Sequence, residues 1–275
     1  MTVTLPSIAI LGTGSMGGAI LAGLVHPDVT VTGGIRVTNR SVEKAEALAS
    51  DRVTSLATSV DADANKKAVA GARVVLVGVK PAMVADLLEE IADSLEPNAI
   101  VISVAAGVTI ATMEALVPGV VLRSMPNTPA VVGRALTGLS AGSRSSADDL
   151  DIATAVFETV GSVLVVPEEK IDALSTISGS GPAYVFLLIE KLTATAIGLG
   201  FTPDEAALMV NTTFLGAAEL LAASDVGPAE LRRRVTSPNG TTERAIAEFE
   251  AAELQPVFDR AAAAALARAK ELAAG

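Results

Sequence analysis

Two groups of residues in this sequence have types and spacings that suit binding chemistry. Gly12, Gly14 and Gly17 form a G-x-G-x-x-G pattern near the start of the chain. Two adjacent hydroxyls, Thr241 and Thr242, lie in the polar segment RVTSPNGTTERA. The glycine pattern is typical of a loop that cradles the pyrophosphate of a dinucleotide, and the hydroxyls could hydrogen-bond a small polar substrate. The glycine pattern therefore predicts a dinucleotide-dependent enzyme, and the threonines are candidates either for a binding site or for an ordinary helix cap.

The glycine pattern lies between the strand-like IAIL and the helical AILAGLV, which is the context that a dinucleotide site requires. Gly12 permits a tight turn, Gly14 lets the pyrophosphate approach the backbone, and Gly17 allows close packing of helix on sheet. The pyrophosphate would then bind at the helix N-terminus. A purely structural glycine turn is the alternative that the pattern leaves open.

The end of the second predicted strand, VTNRS, bears on the choice of cofactor. An NAD-binding protein usually has Asp or Glu here for the ribose hydroxyls, whereas this chain has Asn39, Arg40 and Ser41. A cation and hydrogen-bond donors suit a 2′-phosphate. We therefore expect the cofactor to be NADP, with NADPH preferred over NADH, although NADH is possible. A solvated arginine without a role is the alternative.

Two further strand ends are expected to contact the cofactor, because ligands bind at the carboxyl ends of the strands in such folds. They are GVKP, Gly78–Pro81, and SVAAG, Ser103–Gly107, whose small residues permit close approach. Lys80 could be a catalytic acid, but a charge near the cofactor or a solvated lysine explains it as well.

The chain is poor in residues that could act as acids, bases or metal ligands. It has no Cys and a single His, which excludes disulfides, thiolate catalysis and a Cys/His metal site, and no metal is expected. That histidine, His26, stands at the end of the first predicted helix before Pro27, so it is expected to be a surface residue and not a dehydrogenase base.

The patterns of the alcohol-oxidising families are missing. The sole Tyr, Tyr184, has Leu188 where a short-chain dehydrogenase has Lys. The β-hydroxyacid dehydrogenases carry G-x-G-x-x-x-K-x-x-x-N, and here the Lys and Asn positions of GSGPAYVFLLI hold Val185 and Ile189. What remains is a hydride acceptor that needs little acid–base help, such as the protonated C=N bond of an iminium.

The elements that must position these residues follow an α/β pattern and then a helical one. Continuous Val/Ile runs alternate with amphipathic stretches, Ser41–Ser50 and Pro81–Ser94 among them, which predicts a doubly wound parallel sheet covered on both faces. After Pro167 every segment reads as helix, so we expect an α/β domain over 1–166 and an all-α domain over 167–275. The predicted strands are Ser7–Leu11, Ile35–Asn39, Arg73–Val79, Ala99–Val104, Val120–Ser124 and Ser162–Val166.

The helix predicted over Pro182–Leu192 is apolar nearly all round. Such a helix must be buried on all sides, and the C-terminal half is too short to bury it alone. We therefore expect a second copy of the chain to cover it.

Net charge and hydropathy restrict the partners. The formal net charge is −11, which disfavours nucleic acid and anionic membrane as partners because phosphate contacts need a basic surface. The longest apolar runs are shorter than the roughly 18 residues of a membrane-spanning helix, and the N-terminus lacks the features of a signal peptide. A soluble, cytoplasmic protein is expected.

The order and spacing of several motifs resemble the pyrroline-5-carboxylate reductase family. The motifs are LGTGSMG, VTNRS, VKP, AAGVTI, MPNTP, IDALSTISGSGPAY and VTSPNGTT, and they extend over almost the whole chain. The resemblance implies an N-terminal Rossmann domain, a helical dimerisation domain with interlocked subunits, and often a higher oligomer. It also implies NAD(P)H-dependent reduction of 1-pyrroline-5-carboxylate, a small-molecule substrate, to proline.

The resemblance also implies roles for individual residues. Thr242 would be catalytic, hydrogen-bonding the ring nitrogen or relaying a proton to it. The substrate would contact Thr241, Thr242, Gly240, Ser237 and Glu168, and Asn127 of MPNTP would orient it, although MPNTP alone reads as a stiff loop. The cofactor would contact Leu11, Gly12, Thr13, Gly14, Ser15, Met16, Asn39, Arg40, Ser41, Asn65, Gly78, Val79, Lys80, Pro81, Val104, Ala105 and Ala106.

The segment around Thr241 departs from the family pattern at two positions. Asn239 replaces a Gly, and Asn is among the non-Gly residues that best tolerate left-handed backbone, so a turn over Ser237–Gly240 is still expected. Some family members have Asn at the position of Arg234, where the residue contacts cofactor and substrate. Whether Arg234 makes this contact is left open. We expect Thr241 or Thr242 to cap the following helix, whose free N–H groups would form an anion site for the substrate carboxylate. An ordinary N-cap is the alternative.

Two other functions stay open. One is another imine reductase or a β-hydroxyacid-type NADP-dependent reductase, and Val185 and Ile189 argue against the latter. The other is a non-catalytic NADP-binding regulator. The intact segment Val235–Thr242, called the threonine loop below, argues against it.

Overall fold

The computed structural model describes residues 3–274, and their contacts group them into two compact units. The first unit contains the described residues up to Ser180 together with those from Ala265 onward, and the second contains Gly181–Ala264. This grouping differs from the boundary expected at 166/167. The reason is that Ile171 is buried in the first unit and Leu174 packs directly over Gly138 of its sheet.

All ten strands of the described residues lie in the first unit: β1 Val3–Leu5, β2 Ile8–Leu11, β3 Val29–Val31, β4 Ile35–Asn39, β5 Val53–Ala57, β6 Val74–Val77, β7 Ile100–Ser103, β8 Val120–Met125, β9 Ala135–Ala141 and β10 Gly161–Val165. Eight of them form one sheet in the order β10-β9-β8-β7-β6-β2-β4-β5, and β1 pairs with β3. Neighbours in the large sheet are parallel except β8 and β9.

The six predicted strands are confirmed, each to within two residues at either end. Four strands were not predicted: β1, β3, β5 and β9. Two of these are three residues long, and the other two mix apolar with small polar residues, so none forms a continuous Val/Ile run. Their strand conformation depends on pairing with neighbours already in the sheet, which a local pattern does not reveal.

Among the described residues, seven α-helices lie wholly in the first unit: α1 Ser15–Leu24, α2 Val42–Leu48, α3 Ala64–Val69, α4 Val84–Ile91, α5 Ile110–Glu114, α6 Ala147–Glu158 and α7 Ile171–Leu174. The predicted helical stretches at 41–50 and 81–94 contain α2 and α4. A π-helical turn, Ser175–Gly179, follows α7 directly.

The large sheet separates two apolar clusters, because successive side chains of a strand point to opposite faces. Ile8 and Ile10 of β2 belong to one cluster, with Phe157 of α6. Ala9 and Leu11 of the same strand belong to the other, with helices on the opposite face. This is the doubly wound α/β arrangement that the sequence predicted, and it brings the carboxyl ends of the parallel strands to one edge of the sheet.

The second unit is helical, as predicted. It contains α8 Gly181–Gly198, α9 Pro203–Ala222, α10 Pro228–Arg234, α11 Thr241–Ala251 and the start of α12 Leu254–Ala274. The apolar side chains of α8 are not covered by this chain: Phe186 is 66% exposed and Leu188 48%. Phe186 borders a groove of about 980 Å³ that is lined mainly by apolar residues of α8, α9 and α10. None of the helices that the structure describes is both long and apolar enough to cross a membrane.

Candidate active site

The carboxyl ends of β2 and β6 meet at the point where the strand order of the large sheet reverses. β2 lies between β4 and β6 and is parallel to both. Gly12 follows β2 and Gly78 follows β6, and the Gly78 amide donates a hydrogen bond of 2.8 Å to the Leu11 carbonyl. In open α/β sheets ligands bind at such a switch point, which makes this edge the candidate dinucleotide site.

The three glycines of the first loop differ in their surroundings. Gly12 has a φ of +87°, and a Cβ there would lie 2.9 Å from Val79 Cγ1. A Cβ on Gly17 would lie 2.7 Å from the Gly12 carbonyl oxygen, which is too close for any other residue to fit without movement. Around Gly14, by contrast, no described heavy atom lies within 4 Å of a Cβ position. The tight turn at Gly12 and the close packing at Gly17 are therefore present as predicted, and the space beside Gly14 is open for a ligand.

The N-terminus of α1 is free to bind an anion. Gly14 is the N-cap residue, no described side chain caps the helix, and its first turn contains no acidic residue. The unpaired N–H groups and the positive end of the helix dipole point toward the loop of Leu11–Met16. These features fit the pyrophosphate of a dinucleotide.

At the end of β4, two buried side chains form a hydrogen-bonded pair that leaves one donor unused. Thr13 Oγ1 donates to Asn39 Oδ1 over 2.5 Å. The Asn39 Nδ2 is buried and has no hydrogen-bond partner among the residues that the structure describes. Arg40 beside it is exposed, and Ser41 Oγ accepts a hydrogen bond from the Lys44 amide as the N-cap of α2.

A cavity of about 390 Å³, called the adenosine cavity below, opens at these residues. Its lining includes Gly12, Asn39 and Arg40, together with Asn65 and the carboxylates Asp86 and Glu90. Asn65, which the resemblance places near the adenine, donates from Nδ2 to both oxygens of Glu90 at 3.2 and 3.1 Å. The unused amide donor, the single arginine and the open space together fit the adenosine half of NADP.

Parts of the other two predicted cofactor segments reach a second cavity, whereas Val79 lines the adenosine cavity. Pro81, from the segment after β6, and Ala106, from the segment after β7, both line a cavity of about 390 Å³, called the nicotinamide-side cavity below. Ser124 Oγ donates to the Ser103 carbonyl and the Ala105 amide donates to Ser103 Oγ, which fixes the start of the loop over 103–107. Lys80 is exposed and is not among the lining residues.

A buried arginine that sequence reasoning missed lies at the nicotinamide-side cavity. Arg123 of β8 is 4% exposed, and its guanidinium pairs with Glu168 at 3.4 Å and with Asp172 at 2.5 Å. Glu168, predicted as a substrate contact, is thus engaged with Arg123 and also accepts a hydrogen bond from the Ile110 amide. No local pattern in the sequence identified Arg123, because its partners lie 45 and 49 residues away.

Asn127, predicted to orient the substrate, is bonded to backbone at both ends of its amide. Its Nδ2 donates to the Ser178 carbonyl and its Oδ1 accepts from the Leu136 amide, each at 3.0 Å. The side chain therefore ties the MPNTP loop to the π-helical turn and to β9. Its contact with substrate stays a prediction.

In the second unit, the threonine loop forms the turn that the sequence predicted. The Gly240 amide donates to the Ser237 carbonyl at 3.0 Å, and Asn239 adopts the left-handed region with a φ of +58°. The Asn239 amide donates to Glu243 Oε2 at 2.8 Å. Arg234, the other departure from the family pattern, pairs with Glu230, and hydrogen bonds from Arg233 and Arg234 lower the pKa of that carboxyl.

The predicted cap of the following helix was wrong. Gly240, and neither Thr241 nor Thr242, is the N-cap residue of α11, and no described side chain caps it. Thr241 and Thr242 occupy the first two positions inside the helix. The reason is that Gly240 already has the extended backbone of an N-cap, with φ −83° and ψ 171°. Both hydroxyls and the first N–H groups of α11 therefore remain available to a ligand.

His26 is a surface residue just after α1, as predicted. Its side chain is 60% exposed, and its Nδ1 lies 3.5 Å from Asp28 Oδ2. Among residues 3–274, no group of three or more His, Cys, Asp and Glu side chains could hold a metal ion.

Comparison with known proteins identifies two matching family models. One, described as "Pyrroline-5-carboxylate reductase dimerisation", matches residues 168–272. The other, described as "NADP oxidoreductase coenzyme F420-dependent", matches residues 7–107. The first therefore includes the threonine loop and the second includes the glycine loop.

Individual relatives match over nearly the whole chain. A pyrroline-5-carboxylate reductase of Pseudomonas aeruginosa is 38% identical over 98% of this chain and 97% of its own. The solved structure of a pyrroline-5-carboxylate reductase from Coxiella burnetii is 36% identical, with a TM-score of 0.88 over 96% of this chain and 97% of that one. The fold is also similar to a Plasmodium falciparum pyrroline carboxylate reductase solved with NADP bound, with a TM-score of 0.81 at 22% identity over 97% of this chain and 98% of that one.

Proposed function

The chain belongs to the pyrroline-5-carboxylate reductase family, and we propose below which of its residues perform the family's reaction. It is an oxidoreductase that reduces the C=N bond of 1-pyrroline-5-carboxylate to give L-proline, with NADPH supplying the hydride. The observation that carries this function is the 38% identity to a pyrroline-5-carboxylate reductase over 98% of the chain.

We assign binding of the cofactor to the loops around the sheet edge. The backbone of Leu11–Met16 and the free N-terminus of α1 bind the pyrophosphate. Asn39–Ser41 and Asn65 hold the adenosine, and Gly78–Pro81 and Val104–Ala106 line the nicotinamide side. Supporting this assignment are the open space at Gly14, the uncapped helix and the position of Pro81 and Ala106 on one cavity.

NADPH is preferred over NADH in this proposal because of the residues after β4. Arg40 is the one Lys or Arg side chain in the lining of the adenosine cavity, and Asn39 offers an unused buried donor there. A guanidinium forms strong charge-assisted hydrogen bonds with phosphate. A carboxylate at the end of β4, which would repel a 2′-phosphate, is missing.

The threonine loop binds the substrate. The carboxylate of 1-pyrroline-5-carboxylate accepts hydrogen bonds from the first N–H groups of α11, where the helix dipole also favours a negative charge. Ser237, Gly240 and Thr241 shape this pocket, and the Thr242 hydroxyl hydrogen-bonds the ring nitrogen. The support is that both threonines lie in the first turn of α11 with no described side chain capping it. Substrate contacts by Glu168 and Asn127 stay predictions, since both side chains have structural partners.

The protein is a homo-oligomer whose helical C-terminal region is a dimerisation domain. The exposed apolar side chains of α8 support a dimer interface on this helix. A higher oligomer, a functional boundary at 166/167 and a cytoplasmic location stay predictions.

The experiment that tests the function follows NADPH absorbance with purified protein in two assays. One starts from NADPH and measures its decay with 1-pyrroline-5-carboxylate or with acyclic imines; the other starts from NADP+ and measures the formation of NADPH with a panel of β-hydroxyacids. We expect saturable oxidation of NADPH with 1-pyrroline-5-carboxylate and formation of proline. Turnover of a hydroxyacid in preference to the cyclic imine would favour the β-hydroxyacid-type alternative. NADPH binding without turnover of any substrate would favour a non-catalytic regulator.

A further inference from the structure

The buried Arg123 has no role in the reaction described above, although it lies at the nicotinamide-side cavity. Its guanidinium uses two different nitrogens for two different carboxylates: Nη1 pairs with Glu168 and Nη2 with Asp172. A buried cation is costly unless it is paired and hydrogen-bonded. The two carboxylates satisfy this requirement, and each of them is attached to a different wall of the cavity.

Glu168 connects Arg123 to the loop predicted to line the nicotinamide. Its Oε1 accepts a hydrogen bond of 2.7 Å from the amide of Ile110, the first residue of α5. The segment immediately before Ile110 contains Ala106 and Gly107, which line the cavity. Movement of Glu168 would therefore release the end of this loop.

Asp172 connects Arg123 to a second segment that lines the cavity, the π-helical turn. Its carbonyl accepts a hydrogen bond of 2.7 Å from Ser175 Oγ, the first residue of the π-helical turn. The turn is closed by the Ser180 amide, which donates to the Ser175 carbonyl at 2.9 Å. Ser175, Thr176 and Ser180 line the same cavity as Ala106 and Gly107. Such π-helical turns are uncommon and occur frequently at functional sites.

We propose that Arg123 is a positioning residue: it fixes the distance between the Ala106–Gly107 loop and the π-helical wall, and thereby sets the orientation of the nicotinamide end of the cofactor between them. This inference rests on the proposed binding of NADPH by these loops. Arg123 itself does not have to touch the reacting atoms. Without its charge, Glu168 and Asp172 would repel each other and the two walls would separate.

The shape of the side chain explains why arginine is needed here. A guanidinium is a rigid, planar fork that can serve two carboxylates at once, whereas an ammonium is a single point charge on a flexible stem. Arg123→Lys keeps the charge but cannot hold both Glu168 and Asp172 in place. This variant therefore separates positioning from charge balance.

The first test compares two ligands. NADPH has both halves of the cofactor, whereas 2′,5′-ADP has only the adenosine half. By calorimetry on the purified protein, we expect Arg123→Lys to raise the Kd for NADPH about tenfold or more and to leave the Kd for 2′,5′-ADP within about twofold of wild type. Turnover should fall by about 100-fold, because a misplacement of about 1 Å is enough for such a loss.

The matched control is Arg73→Lys. Arg73 forms the same kind of pair, with Asp149 at 2.6 Å in the same unit, but it does not line the cavity. A loss of stability alone should appear in the thermal melts of both variants. A change in the ratio of the Kd for NADPH to that for 2′,5′-ADP should appear only in Arg123→Lys.

Two further variants keep the proposal testable if Arg123→Lys does not fold. Glu168→Gln keeps an oxygen acceptor for the Ile110 amide and removes one charge. Asp172→Asn removes the charge that pairs with Arg123 Nη2 and leaves the backbone carbonyl that accepts from Ser175 Oγ. Each should raise the same Kd ratio. If the wild type is active and the variants that fold have the same turnover and the same ratio of the Kd for NADPH to that for 2′,5′-ADP as wild type, the positioning role is overturned. Failure of the wild type to bind NADPH would instead overturn the proposed function.

Discussion

At the scale of single residues, Thr242 is the side chain on which the chemistry of the proposal depends. It lies in the first turn of α11 and is not the N-cap, so its hydroxyl is not needed to start the helix. If it hydrogen-bonds the imine nitrogen, it acts where charge changes during hydride transfer, and such interactions lower the barrier. Thr242→Ala should therefore reduce kcat by about 10- to 1,000-fold, with little change in NADPH affinity or melting temperature.

Two variants control this measurement. Thr242→Ser keeps the hydroxyl and should restore most of the turnover. Thr213→Ala removes a hydroxyl from α9 that donates to the Met209 carbonyl within its own helix, and it should leave kcat unchanged. A Thr242→Ala enzyme with normal turnover would contradict the catalytic role and leave the backbone of the loop to bind the substrate by itself.

Arg40 decides the cofactor preference in the proposal. Replacing it by Asp removes a charge-assisted bond worth roughly 1.5–3 kcal/mol and adds repulsion of the 2′-phosphate. The Kd for NADPH should rise by about 10- to 100-fold, while that for NADH should change little. Lys44→Asp makes the same change of charge on α2, outside the lining of the adenosine cavity, and should affect both cofactors alike. Equal losses of NADPH and NADH affinity in Arg40→Asp would exclude a contact with the phosphate.

How far the sequence can identify site residues depends on how local their signals are. The glycine loop and the VTNRS and threonine motifs are contiguous, so their placement at strand and helix ends was predictable. Arg123 and the Thr13–Asn39 pair were not, because their partners are distant in sequence and become neighbours only in the folded sheet. The cap of α11 was mispredicted because Thr and Gly are both common N-cap residues, and only the backbone angles of Gly240 distinguish them.

At the scale of elements, the contact between α1 and the first loop depends on Gly17. An alanine there would place its Cβ 2.7 Å from the Gly12 carbonyl oxygen, which forces the helix away from the loop. Gly17→Ala should destabilise the protein by about 1–3 kcal/mol and weaken NADPH binding. Gly18→Ala is the matched control, since no described heavy atom outside its own helix crowds that position. It should stabilise α1 by up to about 1 kcal/mol. Similar urea midpoints for the two variants would contradict the close packing.

A capping box gives α6 a stability that depends on pH. Burial alone would raise the pKa of Asp149, but hydrogen bonds from Ser146 and Arg73 outweigh it and hold this pKa below its ordinary value. A carboxyl with a lowered folded pKa stabilises the fold above its unfolded pKa of about 3.9, and this contribution is lost as the pH falls through the folded pKa.

Asp149→Asn should therefore cost about 1–3 kcal/mol near pH 7, and its difference from wild type should narrow toward about pH 3. Urea unfolding at both pH values measures it. Asp148→Asn, at the exposed neighbouring position, should differ little from wild type at either pH. A difference between Asp149→Asn and wild type that is independent of pH would mean that shape, and not charge, holds this helix start.

The same scale explains which strands were predictable. Interior strands such as β6 and β7 are buried on both faces and read as continuous apolar runs. β5 and β9 contain fewer apolar residues, and their strand conformation depends on the strands they pair with. β9 is also antiparallel to β8. The residues of β9, a mixture of apolar and small polar types, do not reveal that it pairs antiparallel, so the sequence predicted a sheet that is parallel throughout.

At the scale of the whole molecule, one chain leaves the apolar surface of α8 partly exposed. Phe186, Leu187 and Leu188 of α8 are each about half exposed or more, and Phe186 borders the groove of about 980 Å³. Soluble monomers rarely leave a large contiguous apolar patch exposed. The sequence predicted an uncovered surface on α8 because the segment Pro182–Leu192 is apolar nearly all round. The shape of the groove could not be predicted, because it depends on how α9 and α10 pack beside α8.

A charge placed on this surface should disrupt the assembly. Phe186→Glu would bury an unpaired carboxylate at the proposed interface between subunits, and such a charge is costly unless it finds a partner. We expect the variant to be insoluble, or unfolded at micromolar concentrations where the wild type is a dimer by light scattering. Val60→Glu is the matched control, because Val60 is an isolated exposed valine of the first unit, 74% exposed, and should leave the dimer intact. A Phe186→Glu chain that is a folded monomer with a normal melting temperature would show that α8 needs no partner. A wild-type chain that is monomeric and active would exclude the dimer as a requirement for the fold.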